Sequence, residues 1–169
     1  MDIKILNENY KFKVRVSGVF IYDNKLLVNK YGDDSYCLPG GYVEIGETSE
    51  EAVLRELKEE INLDFKINSF LGITENFFTN LRKQKTHGID FYYNVSLINE
   101  ADYKKIDYDR VENDKENIIR HHFKWINLNE LEKYNLFPSC IKSEIKQNDN
   151  FFLNFYFIFN IIVTALMNL

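Results

Sequence analysis

Cysteine is nearly absent from this chain. Only Cys37 and Cys140 occur, far apart, and neither belongs to a C-x-x-C or Cys/His spacing. That excludes a thiolate metal site of recognisable pattern and fits reduced thiols in a cytosolic protein. Cys37 lies in the apolar run Tyr36-Cys37-Leu38, where a buried thiol is the simple reading. Basic charge is also in deficit. Lys and Arg number 21 against 26 Asp and Glu, a net charge of −5. A general basic surface for nucleic acid is therefore not expected. The N-terminal MDIKILNENYKFK lacks the apolar core of a signal peptide, so a cytoplasmic location is expected. No internal repeat is visible.

What is present suits one folded domain. The 169 residues are 45% apolar and 28% charged, enough for a sizeable core. Residues 12–22 alternate partially, with Phe12, Val14 and Val16, and read as a long strand. Asp23-Asn24 is a turn, and residues 25–30 return as a second strand. Residues 36–43 are extended but broken at Pro39-Gly40-Gly41. Residues 66–78 and 89–98 read as strands, 79–88 as a polar loop and 100–120 as a charged loop. A short strand at 121–126 and short helices at 128–136 and 138–146 complete this part. The order of strands and helices predicts an α/β sandwich with a mixed sheet.

The densest signal is GYVEIGETSEEAVLRELKEEINL at residues 41–63. Thr48 suits a helix N-cap, and Glu51 three residues on completes a capping box. The helix is expected to end near Ile61, with Asn62 as a left-handed C-cap. At about 100° per residue, Glu56, Glu59 and Glu60 share one face. Val53, Leu54, Leu57 and Ile61 form the core face. Ala52 lies on the acidic side, where its small side chain leaves room for a ligand. Arg55 is placed to hold Glu59 one turn on. Three acids so close repel one another unless a cation binds among them. Oxygen-only ligands favour Mg²⁺ or Mn²⁺ over zinc.

This stretch resembles the Nudix box, G-x5-E-x7-R-E-U-x-E-E-x-G-U, where U is a bulky aliphatic. Gly41, Glu47, Arg55, Glu56, Leu57, Glu59, Glu60 and Leu63 match, and Asn62 stands where the family has Gly. Leu38-Pro39-Gly40-Gly41 is similar to the family's lead-in. The resemblance implies an α/β/α sandwich around a mixed sheet, spanning residues 1–147. It implies metal-dependent hydrolysis of a phosphoanhydride in a nucleoside diphosphate linked to another moiety, by metal-activated water. Glu59 and Glu60 are the first metal ligands expected. Glu56 takes either a metal or the proton of the attacking water. Glu47 is expected to support a second metal, and the resemblance adds the Gly40 carbonyl. It also implies a further acid from a late loop, with Glu116 the first choice and Glu112 the second. Glu56, Arg55 and Glu59 are thus the catalytic candidates. The alternative is a noncatalytic domain of this type that binds a nucleotide and regulates something else. Intact Glu56, Glu59 and Glu60 favour the enzyme.

Substrate candidates are less sharply marked. Gly41 lets backbone approach a ligand closely. Arg82, with Lys83 and Lys85, reads either as a phosphate contact or, more plainly, as a solvated loop. Phe78 and Tyr92 are candidates for stacking a base, although alternation lets at most one of each of Phe77-Phe78 and Tyr92-Tyr93 be free. Residues 148–169 form a tail whose last nineteen residues carry no charge. Asn160, Thr164 and Asn168 recur every four residues, which predicts a helix packed on the domain or on a second copy in a homodimer. Membrane anchoring is the less favoured reading.

Overall fold

The protein is described by a computed structural model covering residues 1–31, 34–80, 83–114, 117–147 and 161–163. The strands are β1 (Lys4–Leu6), β2 (Tyr10–Tyr22), β3 (Lys25–Tyr31), β4 (Ser35–Cys37), β5 (Phe65–Thr79) and β6 (Lys85–Leu97). They continue with β7 (Asp109–Asp114), β8 (Asn117–Asn127), β9 (Asn135–Phe137) and β10 (Ile161–Val163). The α-helices are α1 (Ser49–Ile61) and α2 (Cys140–Gln147), and 3₁₀ turns occupy Glu100–Lys105 and Leu128–Lys133.

The sheet is mixed. β2 and β6 pair in parallel, from Tyr10 opposite Lys85 to Phe20 opposite Val95. β5 and β6 form a long antiparallel pair. β2 turns into β3 at Asp23 and Asn24, both with positive φ, as a tight two-residue hairpin requires. The two strands then diverge, and residues 39–43 take the place beside β2. Gly18 donates to the Pro39 carbonyl (2.9 Å), Val16 to that of Gly41 (3.0 Å), and Val43 to that of Val14 (3.1 Å).

Both faces of this sheet are covered. Leu26, Leu27 and Val28 are consecutive and fully buried, which a strand permits only with cores on both sides. Leu27 joins Val16, Phe20, Val53, Leu57 and Ile61 in the core under α1. Leu26 and Val28 join Val19, Leu131, Ile141 and Ile145 in the core under α2. Each fully buried Leu or Val contributes about 1.5–3 kcal/mol of transfer free energy. The three layers are those the sequence predicts.

Several connections differ from expectation. Where a loop is expected up to residue 120, β7 pairs with β8 as a hairpin, and β8 runs on through the expected strand at 121–126. Val111 and Ile119, on opposite faces of this hairpin, are exposed, and the segment carries no apolar alternation. Pairing of β8 along β3 supplies its order. β6 begins at Lys85, inside the expected 79–88 loop, because β2 offers a partner from Tyr10 onward. The expected helix at 128–136 is a 3₁₀ turn followed by β9, which pairs with β4. The helical expectation for the tail is not met at Ile161–Val163, whose β-branched residues lie extended and parallel to β5 at Glu75–Phe77. The rest of residues 148–169 lies outside the described residues. Among the described residues no helix is long and apolar enough to cross a membrane.

Candidate active site

The site is built from α1 and the turn that precedes it. Thr48 caps the helix by accepting from the Glu51 N–H (3.2 Å), and the Glu51 carboxylate accepts from the Thr48 N–H (2.8 Å). This is the expected capping box. The far end stops at Asn62, which is left-handed (φ 64°, ψ 24°) and donates its N–H to the Lys58 carbonyl. A helix fixed at both ends holds its acids at defined angles.

Arg55 organises those acids, using all five of its N–H donors. Nε and Nη2 grip Glu47 at 3.0 and 2.6 Å, and Nη2 also donates to the Tyr42 carbonyl at 3.0 Å. Nη1 donates to Glu56 Oε1 (2.9 Å) and Glu59 Oε2 (3.0 Å). The expected bond to Glu59 is present, and the sequence reading missed the other two carboxylates. The hydrogen bond from Arg55 holds the Glu47 carboxyl below the usual range. Burial pushes Glu56 up, although the same arginine works in the opposite direction.

Two glycines bring backbone against these carboxylates. Gly40 has φ +137°, and a Cβ there would run into the Val16 carbonyl oxygen. Its N–H donates to Glu60 Oε2 at 2.9 Å. A Cβ on Gly41 would land on the Glu56 carboxylate, so that carboxylate packs directly on the Gly41 backbone. Gly41 thus serves Glu56 as well as any ligand. The Gly40 carbonyl, expected to face a metal, accepts from Arg15 Nη2 at 2.8 Å.

The four carboxylates differ in setting. Glu59 is half exposed, Glu47 and Glu56 are mostly covered, and Glu60 is buried. Beside Glu60 lies buried His121, its Nδ1 at 3.8 Å from Glu60 Oε1 and at 2.8 Å from Asn29 Nδ2. Asn29 Oδ1 accepts from the His122 N–H (3.0 Å). The sequence reading left His121-His122 unassigned and passed over Asn29. Their spacing is legible only once β3 and β8 are known to pair. His122 faces solvent and bonds Asp109.

Other expectations fare differently. Ala52 is fully buried in the core and leaves no room for a ligand. Tyr92 is not free to stack a base. It is 3% exposed in the core under α2, with its hydroxyl 3.1 Å from Thr74 Oγ1. Tyr93 is equally buried on the opposite face, so alternation freed neither ring because both faces are covered. Phe78 is partly buried with Lys13 Nζ 5.5 Å from its ring centre. Arg82 and Glu116 lie outside the described residues, and Glu112 is described only by its backbone in β7. Among the described residues, no three His, Cys, Asp or Glu side chains converge closely enough to hold an ion. Arg55 stands among Glu47, Glu56 and Glu59 instead.

Comparison with known proteins follows the same residues. A family model described as NUDIX domain matches residues 11–143. An ADP-ribose pyrophosphatase of Methanocaldococcus jannaschii is 34% identical over 129 residues, covering 68% of this chain and 75% of that protein. A putative ADP-ribose pyrophosphatase of Bacillus subtilis is 32% identical over 86 residues, covering 50% of this chain and 39% of that protein. The crystal structure of a MutT protein from Bacillus halodurans has a TM-score of 0.54 at 16% identity, over 79% of this chain and 80% of that one. That of an ADP-ribose pyrophosphatase from Streptococcus suis has a TM-score of 0.53 at 14% identity, over 88% and 98%. The structural likenesses concern the fold alone.

Proposed function

This chain belongs to the Nudix family of hydrolases, and from that premise we propose that it cleaves the phosphoanhydride of a nucleoside diphosphate derivative, with ADP-ribose the first substrate to test. The observation that carries the reading is the set of four carboxylates ordered by Arg55 at the Gly40-Gly41 turn.

Members of the family generally use divalent metal ions. The donor chemistry of the residues present suits such an ion, although among the described residues no three acids converge on one point. Their donors are all oxygen, and Glu47, Glu56, Glu59 and Glu60 carry four negative charges against the single one of Arg55. Glu59 and Glu60 would hold it, with Glu56, Glu47 and the Gly40 carbonyl in support. Bound there, Mg²⁺ or Mn²⁺ would screen the diphosphate and lower the pKa of a water. Glu56, whose burial raises its affinity for a proton, accepts the proton of the attacking water. Arg55 fixes the direction of Glu56 and Glu59. Water attacks one phosphorus, the bridging P–O bond breaks, and ADP-ribose yields AMP and ribose 5-phosphate.

The test is product analysis after incubation with ADP-ribose, nucleotide sugars, dinucleoside polyphosphates and nucleoside triphosphates, each with Mg²⁺ or Mn²⁺. AMP released from ADP-ribose is expected. No hydrolysis of any of these with either metal contradicts the proposal.

A further inference from the structure

One strand carries cations that the acidic helix does not use. Lys11, Lys13 and Arg15 alternate along β2, so they share a face of the sheet. That face is the one under α2, since Val19 and Ile21 of the same parity pack in its core. Lys13 is partly buried, and among the described residues its ammonium makes no hydrogen bond or ion pair. Arg15 bonds Gly40 through Nη2, while its Nε is sealed from solvent and has no hydrogen-bond partner. The opposing carboxylate, Asp90, pairs in register with Arg15 and accepts from Asn76 Nδ2 at 2.9 Å. Two cations thus share one acid in a covered place, and one N–H and one ammonium stay unmatched.

Such an arrangement costs stability unless something anionic completes it. Lys13 lies between Phe78, whose ring centre is 5.5 Å from its Nζ, and the bare backbone of Gly88, where a Cβ would come within 3.0 Å of Lys13 Cε and 3.3 Å of Asp90 Oδ2. The place adjoins the acids of α1 through one residue. Arg15 binds the Gly40 carbonyl, and the Gly40 N–H binds Glu60.

We propose that Lys13 and Arg15 form an anion subsite that holds the substrate's diphosphate beside the acidic face of α1. The assignment rests on the hydrolase reading above. Burial, and then Arg15, lower the Lys13 pKa to about 8. Its charge is therefore present below that pH and lost above it, and a bound anion would restore it. The charged or titratable groups around it are Arg15, Lys11, Asp90 and Cys37.

Two measurements on Lys13→Met test the subsite, with Arg15→Lys as a second variant should the first fail to fold. Calorimetry with inorganic pyrophosphate in the absence of metal reads anion binding alone. Steady-state kinetics with ADP-ribose and Mg²⁺ read its use. Loss of one charge-assisted contact predicts about tenfold weaker pyrophosphate binding and about tenfold higher KM, with kcat changed much less. The wild-type KM should rise as pH passes about 8, and that of Lys13→Met should not. Removing an unmatched ammonium should leave the melting temperature unchanged or raise it. If wild type hydrolyses nothing yet Lys13→Met loses pyrophosphate binding, the subsite stands and the reaction reading fails. If wild type does not bind pyrophosphate, or the variant matches wild type in binding and KM, the subsite is overturned.

Discussion

The acidic face of α1 and the basic face of β2 meet at Gly40, yet they are built in opposite ways. On α1, Arg55, Glu56, Glu59 and Glu60 lie within two turns, and Arg55 satisfies its own neighbours. On β2, the cations come from alternate residues, and their surroundings come from β5, β6 and the Pro39-Gly40 turn. A helix brings i, i+3 and i+4 together unaided. A strand presents a face whose meaning depends on which strands lie beside it. The first region is ordered by one arginine that bonds three of its carboxylates and leaves it strongly negative. Among the described residues, the second leaves an N–H and an ammonium without a hydrogen bond.

The comparison can be broken most forcefully on the helix. Glu59→Gln and Glu60→Gln should each lower turnover by about 100-fold or more, because both remove a charge that the reaction needs. Gln at residue 60 can still accept from the Gly40 N–H, so the fold should persist by circular dichroism. Near-normal turnover in both variants would remove α1 from the chemistry.

The adjacent glycines offer a sharper division. Gly41→Ala meets only the movable end of Glu56, so activity should fall about tenfold with little loss of stability. Gly40→Ala meets the Val16 backbone at φ +137°, so it should cost about 1–3 kcal/mol in denaturant unfolding. Equal effects of the two on stability would erase the distinction between a glycine kept for a carboxylate and one kept for the backbone.

The smallest effect is expected at Asn62. Glycine is freer in the left-handed region, so Asn62→Gly should stabilise by about 0.5 kcal/mol and leave turnover alone. A change in kcat there would mean that the helix end itself reports to the site.

What was legible in the sequence follows the same local rule. The capping box, the Asn62 cap, the Arg55–Glu59 bond and the β2–β3 turn each involve residues close in the chain. The layers are expected from the order of strands and helices and from the family resemblance, and the burial of Leu26-Leu27-Val28 on both faces agrees with them. What failed depended on distant partners. Tyr92 looked available until the core under α2 enclosed it. His121 acquired a place beside Glu60 only through the pairing of β8 with β3. Ala52 fell on the acidic side of the helical projection but faces inward, because α1 packs closely on β2 and β5.

The claim that α1 presents a cation site is tested most directly by metal binding. Mn²⁺ titration followed by electron paramagnetic resonance should show bound ion in wild type and its loss in the Glu59→Gln/Glu60→Gln double variant. Equal binding in both proteins would contradict the account.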